Sequence, residues 1–137
     1  MTSPMILLAD DEAHITCVVG QKLRSAGFGV TTARDGEEAF ELACKVRPAL
    51  IVTDLQMPRL SGLELAVRLK QTPQTARTPL VMLTARGYIL EPQAIAQTNI
   101  RHLLAKPFSA REVLRLVVEL VGAPADAVPQ VPRAEAA

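Results

Sequence analysis

Short apolar runs alternate with longer amphipathic stretches along this chain. Met5 to Ala9, Phe28 to Ala33, Ala49 to Thr53, Leu80 to Leu83 and Ile100 to Leu104 are strand-sized and bounded by turn-forming or polar residues. Between them the spacing turns helical. Glu12 to Ala26 carries Ile15, Val18, Val19 and Leu23 at helical intervals and stops at Gly27, a residue suited to a left-handed helix end. Glu37 to Val46 repeats the pattern, and Ser61 is placed to cap a helix over Leu63 to Gln71. Glu91-Pro92 puts proline in a first helical turn, where its missing N–H does no harm. Ser109-Ala-Arg-Glu112 has the form of a capping box, and the helix it opens runs to Val121 and closes at Gly122.

A strand followed by a helix, repeated five times, predicts an α/β fold: a five-stranded parallel sheet, doubly wound as (βα)5 with helices on both faces. MILLA, ALIV and LVML are continuously apolar, as strands covered on both sides require, whereas FGVTTA and IRHLL mix polar and apolar residues. The second and fifth strands therefore belong at the edges. Right-handed crossovers then favour the flavodoxin-like order 2-1-3-4-5, with a ligand crevice beyond the carboxyl ends of strands 1 and 3.

Composition adds limits. The 137 residues, 49% hydrophobic and 21% charged, suit one globular domain. A net charge of +1 gives no bulk attraction to nucleic acid or to a membrane surface, so neither is an expected partner. Cys17 and Cys44 stand alone, and no apolar run approaches the roughly 20 residues that span a bilayer, which predicts a soluble, cytoplasmic chain. The segment from Gly122, rich in alanine and proline and without periodicity, divides the chain into a domain over residues 4–121 and a disordered tail or linker over 122–137.

The strand ends carry the chemistry. The first ends in Asp10-Asp11 with Glu12 following, the third in Asp54, the fourth in Thr84, and the fifth in Lys106 before Pro107. Two unit charges 4 Å apart repel by about 4 kcal/mol at an effective dielectric near 20, so carboxylates gathered in one crevice call for a cation. Oxygen donors without His or Cys fit a hard ion, and a few carboxylates plus water is how Mg²⁺ is held. Lys106 and Thr84 supply a point charge and a hydroxyl donor for phosphoryl oxygens, leaving Asp54 as the candidate nucleophile. Singly, Asp10 or Asp11 reads equally as a helix cap and Asp54 as a turn residue; their joint placement argues for a phosphoryl site.

ADDE (Ala9 to Glu12), VTDLQMPRLSG (Val52 to Gly62), LTA (Leu83 to Ala85) and KPF (Lys106 to Phe108), in this order on the predicted strand ends, resemble the response-regulator receiver domain of two-component signalling. The resemblance covers roughly residues 4–121. It implies that Asp10, Asp11, Asp54 and the Gln56 backbone carbonyl hold Mg²⁺, and that Asp54 takes a phosphoryl group from a histidine kinase or phosphotransfer protein. It further implies that Thr84, Ala85 and Lys106 bind that group, that Lys106-Pro107 is cis, and that Gly62 lets the loop after the third strand turn tightly. Such a chain is a switch rather than an enzyme and acts on a downstream protein, with a homodimer left open. Two departures bear on the switch. Leu103 stands where receivers carry an aromatic residue, with Tyr88 as a candidate substitute, and Asn99-Ile100 replaces a Gly-Ala pair, asparagine being able to take the left-handed turn conformation. Gln56 and Arg86 flank the site at positions that in the family tune acyl-phosphate lifetime.

Other readings are weaker. An aspartate-nucleophile phosphatase would carry a second acid two residues after the nucleophile, where Gln56 stands. A flavin- or nucleotide-binding module lacks both a GxxxxGK and a GxGxxG loop. His14-x-x-Cys17 has metal-compatible spacing but no second pair, Cys44 reads as a small buried hydrophobe, His102 as an edge-strand side chain, and Phe28, Phe40 and Phe108 as core.

Overall fold

The computed structural model describes residues 4–85 and 89–123. Five strands, β1 (Met5–Ala9), β2 (Gly29–Ala33), β3 (Leu50–Asp54), β4 (Leu80–Thr84) and β5 (Ile100–Ala105), alternate with five helices, α1 (Ala13–Ser25), α2 (Gly36–Val46), α3 (Gly62–Lys70), α4 (Pro92–Ala96) and α5 (Ala110–Val121). All strand pairs are parallel, and the order is β2-β1-β3-β4-β5, as the strand compositions predict. Tyr88, Arg86 and nearly all of the expected tail lie outside the described residues.

The continuous apolar runs follow from coverage of both faces. Alternate residues of a strand point to opposite sides. Leu7, Ala9, Ile51, Leu80 and Met82 pack with Ala39 and Ala43 of α2 and Leu65, Ala66 and Leu69 of α3. Ile6, Leu8, Leu50, Val52, Val81 and Leu83 pack instead with Val19 and Leu23 of α1 and Val113, Leu116 and Val117 of α5. Every residue of β3 and β4 is buried, whereas β2 and β5 are mostly accessible. Ala49 departs from expectation: it is exposed and precedes β3, tied to β1 only through its N–H, which donates to the Met5 carbonyl at 2.8 Å. Cys44 is half-buried, Phe28 fully buried, and Phe40 and Phe108 pack at the margins of the two cores. His102 is exposed on β5, as expected.

Helix ends follow local chemistry. Ser61 with Glu64 and Ser109 with Glu112 form complete capping boxes. Asp35, which the periodicity alone does not single out, caps α2 by accepting the Glu38 N–H at 2.8 Å. Gly27 ends α1 at φ 101°, and Arg47 ends α2 at φ 52°. Asn99 is not left-handed. Among described non-glycine residues only Arg47 and Arg59 have positive φ, and Asn99 instead uses its side chain, accepting from Lys70 Nζ at 3.0 Å and donating to the Ala76 carbonyl. At Gly36 backbone meets backbone: a Cβ there would lie 2.7 Å from the Leu60 carbonyl carbon and closer still to its oxygen.

Candidate functional site at the carboxyl rim of the sheet

Three strands, β3, β4 and β5, extend one residue beyond the sequence reading, and in β3 and β4 that residue matters. β3 runs through Asp54 and β4 through Thr84, so both functional candidates are held in the ladder rather than in loops, Asp54 opposite Leu83 and Thr84 opposite Ala105. Leu55 N–H then donates to the Leu83 carbonyl at 2.9 Å, Lys106 N–H to the Thr84 carbonyl at 2.8 Å, and Asp10 N–H to the Ala33 carbonyl at 3.0 Å. Parallel strands turn their carboxyl ends the same way, which is why residues up to 96 positions apart, Asp10 and Lys106, meet at one rim.

Asp10, Asp11 and Asp54 each offer a carboxylate oxygen, and these oxygens lie within 4.8 Å of one another. Asp10 and Asp54 are buried and Asp11 is exposed. The Lys106 ammonium stands 3.5 Å from Asp54 Oδ2 and 3.3 Å from Glu12 Oε1. Thr84 is buried beside them, Ala85 is exposed just beyond it, and Lys106-Pro107 is cis as expected.

Gly62 stands where the loop after β3 folds back on the strand. The positive φ in that loop belongs to Arg59, at 71°. Gly62 instead provides space, because a Cβ would lie 2.7 Å from Met82 Sδ, 2.9 Å from Leu55 Cα and closer to the Asp54 carbonyl oxygen. Its N–H donates to the Leu55 carbonyl at 2.8 Å, closing the loop that carries Gln56. Arg59 tethers that loop to the start of α2, 3.5 Å from Asp35 and 3.9 Å from Glu37.

Burial pushes the Asp10 carboxyl up to about 6, and the charges of Asp54 and Glu12 add to the rise, against the Glu12 N–H bond and Lys106. Asp54 is raised by burial as well, with Lys106 and the Gln56 backbone N–H pulling it back. Burial acts to lower Lys106, but Asp54, Asp10 and Glu12 outweigh it and hold the ammonium above its ordinary value. The rim is short of positive charge. Asp10 Oδ1 accepts the Glu12 N–H at 2.9 Å, whereas Oδ2 is buried without a hydrogen-bond partner. An orphaned carboxylate oxygen beside two more carboxylates, with no nitrogen or sulfur donor, fits a hard divalent cation such as Mg²⁺.

Leu103 lies on the outer strand β5 and is 36% exposed. Glu12, treated in the sequence only as a neighbour of the two aspartates, reaches Lys106 from 94 positions away. Its length, one methylene more than aspartate, was the available signal.

A doubly wound sheet whose rim joins paired acids, a buried strand-end aspartate, a threonine and a lysine defines a phosphoryl-switch class of protein. The chain belongs to the response regulator receiver domain family, whose model matches residues 6–118. It is similar to the DNA-binding dual master transcriptional regulator RpaA of Synechocystis sp., 35% identical over 93% of this chain and 52% of that protein. It also resembles the phosphate regulon transcriptional regulatory protein PhoB of Rhizobium meliloti, 37% identical over 83% of this chain and 50% of that protein. The chain thus spans about half the length of these curated relatives. Among solved structures, the chemotaxis response regulator CheY4 of Vibrio cholerae superposes with a TM-score of 0.79 at 31% identity, covering 87% of this chain and 99% of that one. The receiver domain of sensor histidine kinase PA1611 from Pseudomonas aeruginosa, described with a magnesium ion coordinated in its active site cleft, gives a TM-score of 0.78 at 29% identity over 88% of this chain and 99% of that one. Receiver domains are the signalling modules of two-component systems. Among the described residues no helix is long and apolar enough to cross a membrane.

Proposed function

We propose that this receiver is switched by phosphorylation of Asp54, with a sensor histidine kinase or phosphotransfer protein as donor. The observation that carries the reading is the pairing of Asp54 Oδ2 with Lys106 at 3.5 Å inside a cluster of three carboxylates, one of which keeps an unpartnered buried oxygen. Asp10, Asp11, Asp54 and the Gln56 backbone carbonyl would hold Mg²⁺, whose charge, when bound, offsets that of the phosphoryl oxygens.

The protein's own groups supply the rest. An Asp54 carboxylate oxygen attacks phosphorus in line with the departing group; the P–O bond forms as the P–N bond to a phosphohistidine breaks, and the imidazole leaves with the electron pair. The carboxylate attacks as an anion, so this step needs no base. The Lys106 ammonium pairs with one phosphoryl oxygen, the Thr84 hydroxyl donates to another, and the Ala85 backbone N–H is the nearest further donor along the chain. Slow hydrolysis of the acyl phosphate resets the switch.

Residues 4–121 constitute the switching domain in this reading, and residues 122–137 a tail or linker to whatever the chain is joined to or acts upon. The chain works in the cytoplasm through contact with a downstream protein. With Leu103 in place of an aromatic side chain, coupling to the outer face runs through the loop after β4 and through α4. Intact-mass analysis after incubation with acetyl phosphate and Mg²⁺ tests the assignment. The wild type gains the mass of one phosphoryl group and Asp54→Asn does not; equal labelling of the two would remove Asp54 from the role.

A further inference from the structure

Glu12 occupies the N-cap of α1 without capping it: no side-chain bond closes the helix start. Asp, Asn, Ser or Thr at that position would satisfy an orphan N–H and stabilise the helix by about 1 kcal/mol, so local structure argues against glutamate here. Its main chain is nonetheless fixed, the N–H donating to Asp10 Oδ1 at 2.9 Å and the carbonyl accepting from Ile15 and Thr16 at 3.0 and 3.3 Å. From that fixed root the side chain extends across the mouth of the site to Lys106 Nζ, at 3.3 Å. The same ammonium lies 3.5 Å from Asp54. Lys106 is therefore closer to the acid at the rim than to the buried one.

We propose that Glu12 is a brake on phosphoryl capture, a rim carboxylate that engages the lysine needed by the incoming group. This rests on the reading of Asp54 as acceptor. Phosphoryl oxygens arriving at Asp54 compete with the Glu12 carboxylate for one ammonium, and they approach past its negative charge. Asp11 is exposed in the same rim, but its carboxylate lies with those of Asp10 and Asp54, and the ion pairs of Lys106 are to Glu12 and Asp54. Glu12, whose side chain is 61% exposed, is the acid free to swing into solvent once Lys106 is taken. Exposed ion pairs are worth about 0.2–1 kcal/mol, so releasing this one accelerates capture by up to about fivefold rather than by orders of magnitude.

The test compares Asp54 labelling by acetyl phosphate in wild type, Glu12→Gln and Glu12→Asp at saturating Mg²⁺, alongside affinity for beryllofluoride, a phosphoryl mimic that needs no covalent donor. Glu12→Gln keeps the size and loses the charge, and Glu12→Asp keeps the charge but is one methylene too short to span to Lys106. Both are expected to label faster, by up to about fivefold, and to bind beryllofluoride correspondingly more tightly at low ionic strength. The gain shrinks in high salt, where exposed charges are screened. Unchanged or slower labelling and unchanged beryllofluoride affinity in Glu12→Gln would overturn the proposal, as would Glu12→Asp behaving like wild type. If the wild type itself is not labelled on Asp54, the acceptor assignment fails; if it is labelled and the variants match it, only the brake fails.

Discussion

The middle of the central strands and their carboxyl ends are built by opposite rules, though only two or three residues separate them. Leu7, Ile51, Val52, Val81 and Met82 are apolar, almost completely buried and enclosed by helices on both faces. Asp54 and Thr84 terminate β3 and β4, Asp10 directly follows β1, and all three are nearly as buried, yet two of them are acids whose protonation burial favours. In the middle, every contact favours the folded chain. At the tips, burial of like charge works against it, and Lys106 and the Glu12 and Gln56 backbone N–H groups offset part of the cost. The lesson is that the sheet's stability is generated in its centre and spent at its rim.

Truncation in the centre should have the largest effect. Ile51→Ala removes a fully buried side chain from between the sheet and α2–α3, and is expected to cost about 2–5 kcal/mol by urea denaturation. A cost below 1 kcal/mol would mean that the centre is not where stability originates. The rim should respond with the opposite sign. The Asp10 carboxyl titrates near 3.8 unfolded and about 6 folded, so between these values the native state holds a proton that the unfolded chain has released. Its contribution is fully present below pH 4 and is lost as pH rises through 6, by up to about 3 kcal/mol without divalent cation. Asp54, raised in the same direction, adds to the trend. Asp10→Asn should therefore melt higher than wild type at pH 7 and close to it at pH 4, and Mg²⁺ should narrow the difference by stabilising only the wild type. A gap independent of pH would detach it from carboxylate burial. The smallest effect belongs to the outer strand: Leu103→Ala, at a site 36% exposed, should change stability by less than about 1 kcal/mol. A larger loss would place Leu103 among the packed residues instead.

Legibility in the sequence follows the same division. The strand order could be read because coverage on both faces demands unbroken apolar runs, and β2 and β5 betray their edge positions with Thr31, Thr32, Arg101 and His102. Asp10, Asp11, Asp54, Thr84 and Lys106 could be read because the parallel topology sends all strand ends to one rim. Contacts set by exact chain placement were hidden. Gly62 could be placed in a tight loop, but only the packing of Asp54 and Met82 against it shows that the need is for space. Glu12 looked like an adjunct of the acidic pair, since nothing in local periodicity encodes a partner 94 residues on. Ala49 looked buried because it adjoins an apolar run, although the strand begins one residue later.

The close approach of Gly36 to Leu60 also bears on how the loop at the rim is held. No side chain of any kind can grow in that gap without prying α2 from the loop that carries Gln56. On the outer side of the same seam, Arg59 and Glu37, with side chains 66% and 58% exposed, pair across it at 3.9 Å. The seam between Gly36 and Leu60 thus fixes where α2 sits against the loop at the rim of the site.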